Sequence, residues 1–400
     1  MNAPLLLTFN PGSSTVKIGL FKLIDERPVR IGQGTIDFRH TPLQLHLVSD
    51  GKTREIHLKS SVTDDLHEVL DETLTWFADH FSLEALVSVG HRVVHGGDRF
   101  AGPVAIDDAT LAAIAELVPL APLHQPQSLR LIRAIRHLRP HLLQSASFDT
   151  AFHRSQIDLV RRFAIPRSFF DQGIKRYGFH GLSYQFIAAR LAHDFADLAY
   201  GKVVVAHLGS GASLCALESG LSRDTSMGFS TLDGIPMATR CGALDAGVVL
   251  HLLEQQGLDI KQVEDILYKQ SGLLGLSGIS ADSRELLASP RPEAREALDV
   301  FAFRIAGEVA RLATTLGGLD SIVLTAGIGE HQAQVRSAIC SHLAWLGIEL
   351  DAAANALDQH QARVISSTAS RIKVLVIPTD EEQIIANEAV AVLHRKDIPL

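Results

Sequence analysis

The sequence predicts an α/β fold with at least two domains. Segments typical of strands and of helices alternate along the chain, as in sheets that are connected through helices. The chain has 400 residues, whereas one hydrophobic core seldom extends beyond about 250–300 residues. A pattern of apolar strand, five-residue Gly/Ser turn and apolar strand occurs twice, as "LLLTFNPGSSTVKIGLF" from Leu5 and as "VVVAHLGSGASLCAL" from Val203. This repetition predicts two domains with similar cores.

Several elements are predicted from apolar spacing and from signals at their ends. Asp107 and Asp108 precede apolar residues at helical spacing and predict a capped helix. Gly317 and Gly318 predict the end of the longest helix. The predicted segments are helices over 107–118, 128–138 and 293–316, followed by a strand over 321–325.

Composition limits the classes of protein and partner. Hydrophobic residues make up 46% of the chain and charged residues 20%, an ordinary balance for a globular protein. The formal net charge of −8 lacks the basic excess typical of nucleic-acid binders. There are three cysteines and no CxxC pair, which favours a reducing compartment. No signal peptide and no apolar run of about 20 residues is evident. We therefore expect a cytoplasmic protein with neither nucleic-acid nor membrane partners.

Charged and glycine-rich stretches stand at the ends of predicted strands. Arg92 lies between apolar residues, where its guanidinium needs a carboxylate or a phosphate. A structural salt bridge and a ligand contact are equally good interpretations. Gly327-Ile328-Gly329 follows a strand and precedes a helix, whose N-terminus could bind a nucleotide. Asp380-Glu381-Glu382 follows another strand and either holds a divalent cation or starts a helix. His91 and His95 have zinc-pair spacing, but their valine neighbours indicate a strand.

These features favour phosphoryl transfer. They include a second arginine, Arg240, and two loop histidines, His124 and His180. No serine or cysteine is paired with an evident base. Phosphoryl transfer needs mainly positioning and positive charge, because the transferring group carries spread negative charge. The residues fit this chemistry better than acyl or hydride transfer.

The order of the motifs resembles that of the acetate kinases, which are short-chain carboxylate kinases of the sugar kinase/Hsp70/actin superfamily. The resemblance covers nearly the whole chain and rests on "FNPGSSTVK", "VGHRVVHGGDRF", "RYGFHGLS", "DTSMGF", "SGLLGLSGIS", "TAGIGE" and "PTDEE". It implies a two-domain actin-like ATPase (ribonuclease H-like) fold, in which each domain is a mixed sheet flanked by helices. The expected domains are 1–149 plus about 383–400 on the acyl and phosphate side, and 150–382 on the nucleotide side.

The resemblance also implies an activity and its partners. Acetate would be phosphorylated by ATP to acetyl phosphate, with ADP as the second product, by reversible in-line transfer. Mg²⁺ or Mn²⁺ would assist, and the chain would form a homodimer. A propionate or butyrate kinase is an alternative within the class. A weakly active ATP-binding module and a metal-dependent hydrolase are alternatives from other classes.

By the same resemblance, individual residues receive roles. Arg92 and Arg240 would bind the carboxylate and stabilise the oxygens of the transferring phosphoryl group, which His180 would hydrogen-bond. Asp149 would orient the carboxylate or hold the water shell of the metal, and His124 would line the site. The expected acyl-binding residues are Arg92, Val94, Leu123 and Phe179. The expected nucleotide-binding residues are Ser13, Ser14, Lys17, His207, Gly209, Ser210, Gly211, Asp282, Arg284, Gly327, Ile328, Gly329 and His331. The expected metal-binding residues are Asn10 and Glu381.

Six positions depart from the usual pattern of this family. They are Gln125, Ser210, His331 and Asp380 in place of Asn, Ala238 in place of Gly, and Thr231 in place of Pro. These departures leave the acyl chain length and the phosphoryl donor open. The two arginines, His180 and the acidic metal site match the pattern.

Overall fold

The computed structural model describes residues 3–12, 15–38, 42–49, 51–60, 66–80 and 85–395, and of residues 78–80 only the backbone. The chain forms two compact units. Unit 1 comprises residues 1–152 and 380–400, and unit 2 comprises residues 153–379. Each unit is built on one mixed β-sheet with helices packed against it.

Strands and helices alternate through both units. The strands are β1 (Leu5–Pro11), β2 (Thr15–Ile24), β3 (Arg27–Asp37), β4 (Gln44–Ser49), β5 (Lys52–His57), β6 (Leu86–Val93), β7 (Val104–Ala105), β8 (Leu143–Phe148), β9 (Lys202–Leu208), β10 (Ala212–Glu218), β11 (Leu221–Thr225), β12 (Ser321–Thr325), β13 (Arg363–Val364) and β14 (Lys373–Val376). The α-helices are α1 (His67–His80), α2 (Asp108–Ala115), α3 (Gln125–Leu138), α4 (Asp158–Arg161), α5 (Arg167–Asp171), α6 (Gly181–Asp194), α7 (Ala196–Ala199), α8 (Ala246–Glu254), α9 (Ile260–Lys269), α10 (Gly272–Ser277), α11 (Ser283–Ala288), α12 (Pro292–Leu316), α13 (Ala326–His331), α14 (Ala333–His342), α15 (Ala352–Ala356) and α16 (Glu381–Arg395).

The predicted elements are present, and two of the helices have shifted ends. Asp107 caps α2 by accepting the N–H of Thr110 at 2.7 Å, as expected. The helix nevertheless stops short of the predicted end, and Val118–Leu120 forms a separate 3-10 turn. Helix α3 begins at Gln125, ahead of the predicted start. The end of α12 before Gly317, which has a φ of 65°, and the bounds of β12 are confirmed.

The sheet of unit 1 has the strand order β5-β4-β3-β2-β1-β6-β8-β7. Strands β1 to β5 are antiparallel neighbours, whereas β1, β6 and β8 run parallel. Leu7 and Phe9 of β1 belong to a core with α1 and α3, and Leu6 packs with α16 on the other face. Gly90 permits the close approach of α16, because a Cβ there would lie 2.7 Å from the side chain of Ile385. Helix α16 thus packs directly on the parallel strands.

Unit 2 has a six-stranded sheet with the order β11-β10-β9-β12-β14-β13. Strands β9, β12 and β14 are parallel, and the outer pairs are antiparallel. The long helix α12 packs on β9, β10 and β11, and its residues Phe301, Ile305 and Val309 are fully buried. Among the described helices, none combines the length and apolar character that crossing a membrane requires.

The two sheets share one strand arrangement. The order β3-β2-β1-β6-β8-β7 in unit 1 matches β11-β10-β9-β12-β14-β13 in unit 2, with the same parallel and antiparallel neighbours. The predicted repetition of similar cores is therefore confirmed. The expected turns are too long, because β1 extends to Pro11 and β9 to Leu208. The predicted nucleotide-binding residues Ser13 and Ser14 lie outside the described residues.

Candidate active site

Three parallel strands of unit 1 bring Asn10, Arg92 and Asp149 to one edge of the sheet. Asn10 lies near the end of β1, Arg92 near the end of β6, and Asp149 directly after β8. The carboxyl ends of adjacent parallel strands meet at the same edge. There the guanidinium of Arg92 donates to both oxygens of Asp149, from Nε at 3.0 Å and from Nη2 at 2.6 Å. This bidentate geometry fixes the orientation of both groups.

The Arg92–Asp149 pair is buried and strongly charged. The side chains of Arg92 and Asp149 are 13% and 1% exposed. Burial opposes the charge on Arg92, but the carboxylates of Asp149, Glu381 and Glu382 outweigh it and raise the pKa of Arg92. Arg92 also donates to Asn10 Oδ1 and to the carbonyl of Pro11, each at 3.1 Å. The salt-bridge interpretation is thus confirmed, and the ligand-contact interpretation of Arg92 stays a prediction.

Two glutamates at the start of α16 join this cluster. The amide nitrogen of Asn10 donates to Glu381 at 2.8 Å and to Glu382 at 2.7 Å. The helix-start interpretation is confirmed, since both glutamates lie in the first turn of α16, where negative charge is favourable. The cation interpretation stays a prediction. Within the described residues, no three His, Cys, Asp or Glu side chains converge in a way that could hold a metal ion. Mg²⁺ often takes only one or two carboxylates and completes its shell with water and substrate phosphate, so Glu381 and Glu382 fit it. The amide of Asn10 is instead occupied by Arg92 and by the two glutamates.

Glu382 belongs to the acidic stretch noted in the sequence but is missing from the metal-binding residues that the family resemblance implies. The sequence signal that could have identified Glu382 is its neighbour Glu381, because two acidic residues in the first turn of a helix can accept from the same donor. Two departures from the family pattern also have structural partners nearby. Asp380 forms an ion pair with Arg30, and the buried side chain of Gln125 bonds both the N–H and the carbonyl of His95, at 3.1 and 2.9 Å.

The other predicted residues of unit 1 lie at several positions. Lys17 is directly opposite Asn10 in the antiparallel pairing of β1 with β2, so their side chains share a face. His124 precedes α3. Val94, after β6, is buried, whereas Leu123 is 39% exposed.

In unit 2, the rings of His180 and His207 stack on each other. Their centroids are 4.3 Å apart and their planes differ by 18°. Nδ1 of His180 hydrogen-bonds the hydroxyl of Ser213, and Nδ1 of His207 that of Ser183, each at 2.8 Å. These contacts orient both rings. His180 also has a φ of 55° just before α6, a left-handed conformation that is uncommon for residues other than glycine.

The turn between β9 and β10 brings His180 and Arg240 together. A Cβ added at Gly211 would lie 3.4 Å from Nε2 of His180 and 3.8 Å from Nη1 of Arg240. Both side chains therefore lie beside this glycine. Arg240 is further held by the carbonyl of Thr231, which accepts from Nη1 at 3.1 Å.

Three of the residues that differ from the family pattern, Ser210, Thr231 and Ala238, form main-chain hydrogen bonds near this turn. Thr231 contributes its carbonyl to Arg240. The carbonyl of Ser210 accepts the N–H of Ala238 at 3.2 Å. Because these contacts use backbone groups, they do not depend on which side chain occupies the positions.

The structure of Gly327-Ile328-Gly329 differs from the predicted loop between a strand and a helix. This stretch does not form a loop ahead of a helix but lies inside the first turns of α13, which begins at Ala326. The chain turns within a single residue because Ala326 takes a left-handed conformation, with a φ of 63°. A carboxylate oxygen of Glu330 accepts the N–H groups of Ala326 and Thr379, at 2.8 and 3.2 Å. Glu330 is absent from the predicted site, although it ends the "TAGIGE" motif.

The remaining predicted residues of unit 2 form local contacts. Asp282 caps α11 and accepts hydrogen bonds from Arg284, including one from Nε at 3.0 Å. These bonds lower the pKa of Asp282. Arg284 is largely exposed, and His331 bonds Asp358 at 3.1 Å. The buried Phe179 offers its carbonyl to His153 at 2.9 Å.

The two matching mixed sheets are those of the two-domain actin-like ATPase fold, a class that includes phosphoryl-transferring kinases. The chain belongs to the Acetokinase family, whose profile matches residues 5–387. The predicted family and fold class are thereby confirmed.

Several relatives resemble the chain over almost its full length. An acetate kinase from Methylocella silvestris is 44% identical over 399 residues, 98% of each chain. An acetate kinase from Rhodopseudomonas palustris is 46% identical over 388 residues, 96% of each chain. Among solved structures, a propionate kinase from Francisella tularensis has a TM-score of 0.90 and 33% identity, covering 97% of this chain and 100% of that one. The Porphyromonas gingivalis acetate kinase has a TM-score of 0.87 and 33% identity, covering 98% of this chain and 100% of that one.

Proposed function

We propose that the protein catalyses the reversible phosphorylation of acetate by ATP, which yields acetyl phosphate and ADP. The observation that carries the proposal is the buried Arg92, held by Asp149 and Asn10 beside two glutamates. Relatives of 44% and 46% identity that bear the name acetate kinase support acetate as the substrate.

The proposed reaction needs no general base, because a carboxylic acid is already ionised at neutral pH. One carboxylate oxygen of acetate forms a bond to the γ-phosphorus of ATP, while the bond from this phosphorus to the β–γ bridging oxygen breaks. We assign Arg92 and Arg240 to the acetate carboxylate and to the charge on the transferring group, and His180 to a hydrogen bond with that group. Asp149 holds Arg92 in its orientation, and His124 lines the site.

Of the predicted metal-binding residues Asn10 and Glu381, we assign the metal to the carboxylate of Glu381, with Glu382 as a further candidate, and a supporting role to Asn10. A bound Mg²⁺ would offset part of the negative charge of the nucleotide phosphates. Mn²⁺ favours the same oxygen ligands. Asn10 donates to both glutamates, so its amide keeps the two carboxylates together at the start of α16.

We assign nucleotide binding to unit 2 and phosphate binding to unit 1, and we assign the acyl contacts residue by residue. The proposed nucleotide contacts are His207, Gly209, Ser210, Gly211, Asp282, Arg284, Gly327, Ile328, Gly329 and His331. Lys17 is proposed to contact phosphate, and Val94, Leu123 and Phe179 to contact the acyl chain. A homodimer is also proposed, and light scattering during size-exclusion chromatography tests it. A cytoplasmic location stays a prediction.

Propionate is the second candidate substrate. The Francisella tularensis protein named as a propionate kinase shares the same 33% identity as the acetate kinase from Porphyromonas gingivalis. A hydrophobic pocket separates substrates that differ by one methylene by only about 1–3 kcal/mol. Relative kcat/KM values therefore decide between the two.

A hydroxamate assay tests the proposal. Purified protein is incubated with ATP, MgCl₂ and acetate, propionate or butyrate, and the acyl phosphate is trapped with hydroxylamine. We expect the highest kcat/KM with acetate. Absence of hydroxamate with all three acids would refute a carboxylate kinase. Calorimetric ATP binding without turnover would then indicate a binding module, and cleavage of phosphate esters without an acceptor acid would indicate a hydrolase.

A further inference from the structure

The start of α10 is hydrogen-bonded to the segment that carries Arg240. We call residues 237–241 the Arg240 segment. Three successive carbonyls of this segment accept N–H groups from residues 271–274. The bonds run from Ser271 to Thr239 at 3.0 Å, from Leu273 to Met237 at 2.9 Å, and from Leu274 to Ala238 at 3.0 Å. N–H groups at the start of a helix have no partner within the helix, so the Arg240 segment supplies the acceptors that this end of α10 needs.

Gly272 lies at the centre of this contact. Its φ is +60°, and a Cβ there would lie 2.1 Å from the carbonyl oxygen of Met237 and 2.8 Å from that of Arg240. Both of these atoms belong to the backbone, so no side-chain rotation could relieve the contact. A residue larger than glycine must therefore displace the Arg240 segment, α10, or both.

Further bonds attach the Arg240 segment to the end of α9. The hydroxyl of Thr239 donates to the carbonyl of Tyr268 at 2.8 Å, and the N–H of Cys241 donates to the carbonyl of Leu267 at 3.1 Å. The N–H of Met237 closes the segment by donating to the carbonyl of Arg240 at 3.0 Å. The Arg240 segment is thus hydrogen-bonded both to the end of α9 and to the start of α10.

We propose that Gly272, with the start of α10, positions Arg240 for phosphoryl transfer. The inference rests on the proposed function, because it assigns Arg240 to the transferring group. Gly272 acts only through the backbone of the Arg240 segment, so it is a positioning residue. Its lack of a side chain lets the segment lie close to α10, and the Arg240 guanidinium then reaches the side of Gly211 and His180. A shift of about 1 Å in a catalytic group can cost about 10²-fold in rate.

Gly278 provides a matched control within the same motif. It also has a φ of +60°, but a Cβ there would meet nothing within 4 Å. Both Gly272→Ala and Gly278→Ala therefore place a residue with a side chain at a positive φ, which carries a similar backbone cost. Only Gly272→Ala also creates a steric clash. We expect kcat to fall about 10²-fold in Gly272→Ala with little change in KM for ATP, and to stay near the wild-type value in Gly278→Ala. Equal losses in the two variants would overturn the proposal.

A double variant tests whether the effect passes through Arg240. Once the guanidinium is absent, its position no longer matters. We expect Gly272→Ala to cause no further loss of kcat when Arg240→Ala is already present. Multiplied losses would show that Gly272 acts on another part of the site and would overturn the proposal.

Limited trypsin digestion provides a readout that does not depend on activity. Trypsin cleaves after arginine, so the bond between Arg240 and Cys241 reports on the attachment of the segment. We expect faster cleavage there in Gly272→Ala than in Gly278→Ala, and equal rates would overturn the inference. If the wild-type protein makes no acyl phosphate, the proposed function fails, whereas unequal cleavage still supports the attachment.

A milder pair of variants serves if Gly272→Ala does not fold. Thr239→Val removes the hydroxyl that bonds the Tyr268 carbonyl, whereas Thr239→Ser keeps it. We expect lower kcat and faster cleavage after Arg240 in the valine variant, and restoration of both in the serine variant. Valine and serine variants that behave alike would overturn the proposal.

Discussion

Units 1 and 2 share a strand order but carry different chemistry at corresponding sheet edges. In unit 1, β1, β6 and β8 lead to Asn10, Arg92 and Asp149. In unit 2, the corresponding β9 leads to His207 and β12 to Ala326. The first edge carries buried charges, and the second carries stacked imidazoles and the glycine-rich turn between β9 and β10. The strand order thus determines where a site lies, and the residues that follow the strands determine its chemistry.

The two arginines extend this comparison. Arg92 is held by a bidentate bond to the buried carboxylate of Asp149. Arg240 donates to the neutral carbonyl of Thr231, and its backbone is fixed by α10. Arg92 and Arg240 thus have the same proposed role in catalysis, but we expect them to contribute differently to the stability of the fold.

The largest expected effects concern the two arginines, which should contribute alike to kcat but differently to the free energy of unfolding. Arg92→Ala and Arg240→Ala should each lower kcat about 10²–10³-fold, as expected when a group that stabilises transition-state charge is removed. Arg92→Ala should also cost about 3–5 kcal/mol of unfolding free energy, because it leaves the Asp149 carboxylate buried without its partner. Arg240→Ala should cost about 1 kcal/mol. Urea unfolding and steady-state kinetics measure both. Equal stability losses would contradict the comparison, and adding Asp149→Ala to Arg92→Ala should restore part of the lost stability.

The next effect concerns the acidic edge of unit 1. Glu381→Gln should raise the Mg²⁺ concentration for half-maximal activity about 10–100-fold, the range typical for residues that support a metal site. Asp380→Asn is the control, because it removes a charge one residue away that pairs with Arg30. Its Mg²⁺ requirement should stay near that of the wild type. Glu382→Gln decides whether the second glutamate shares the role. An unchanged Mg²⁺ requirement in both glutamine variants would contradict the metal assignment.

One buried histidine in each unit should make the free energy of unfolding depend on pH. Burial lowers the pKa of His91 in unit 1 and of His153 in unit 2 from 6.5 to about 4. Below pH 6.5, these two histidines bind protons in the unfolded chain but stay neutral in the folded protein. The free energy of unfolding is therefore highest above pH 6.5 and decreases as the pH falls towards 4. Each group contributes a slope of up to about 1.4 kcal/mol per pH unit.

Urea unfolding between pH 7 and pH 5 tests this expectation. His91→Gln and His153→Gln should each weaken the dependence of unfolding free energy on pH by a similar amount. A variant whose pH dependence equals that of the wild type would show that its imidazole is not buried in the neutral form.

The smallest effect lies at the glycine turn of unit 2. Ser210→Asn should lower KM for ATP about 2–10-fold, the value of one added hydrogen bond of about 0.5–1.5 kcal/mol. The longer amide reaches further than the serine hydroxyl, and the main-chain bond to Ala238 stays intact. Ser210→Ala is the control and should bring no gain. A KM for ATP that is equal in both variants would contradict a nucleotide contact at this position.

The elements predicted correctly from the sequence are those with strong local signals. The cap at Asp107, the end of α12 before Gly317 and the bounds of β12 follow from residue types within a few positions. The predicted turns were too long because pairing across each hairpin extends β1 to Pro11 and β9 to Leu208. The start of α13 was missed because it depends on the left-handed conformation of Ala326, which a sequence pattern does not favour.

The sequence by itself determined the repeated core, the family and the residue types that the chemistry requires. Only the tertiary structure decided which of these residues meet. Asn10 and Glu381 are 371 residues apart, and Arg92 and Asp149 are 57 apart. The contact of Gly272 with the Arg240 segment likewise has no local signal. Such contacts depend on the order of strands in a sheet and on the packing of helices against loops, which bring together residues whose separation along the chain says nothing about their separation in space.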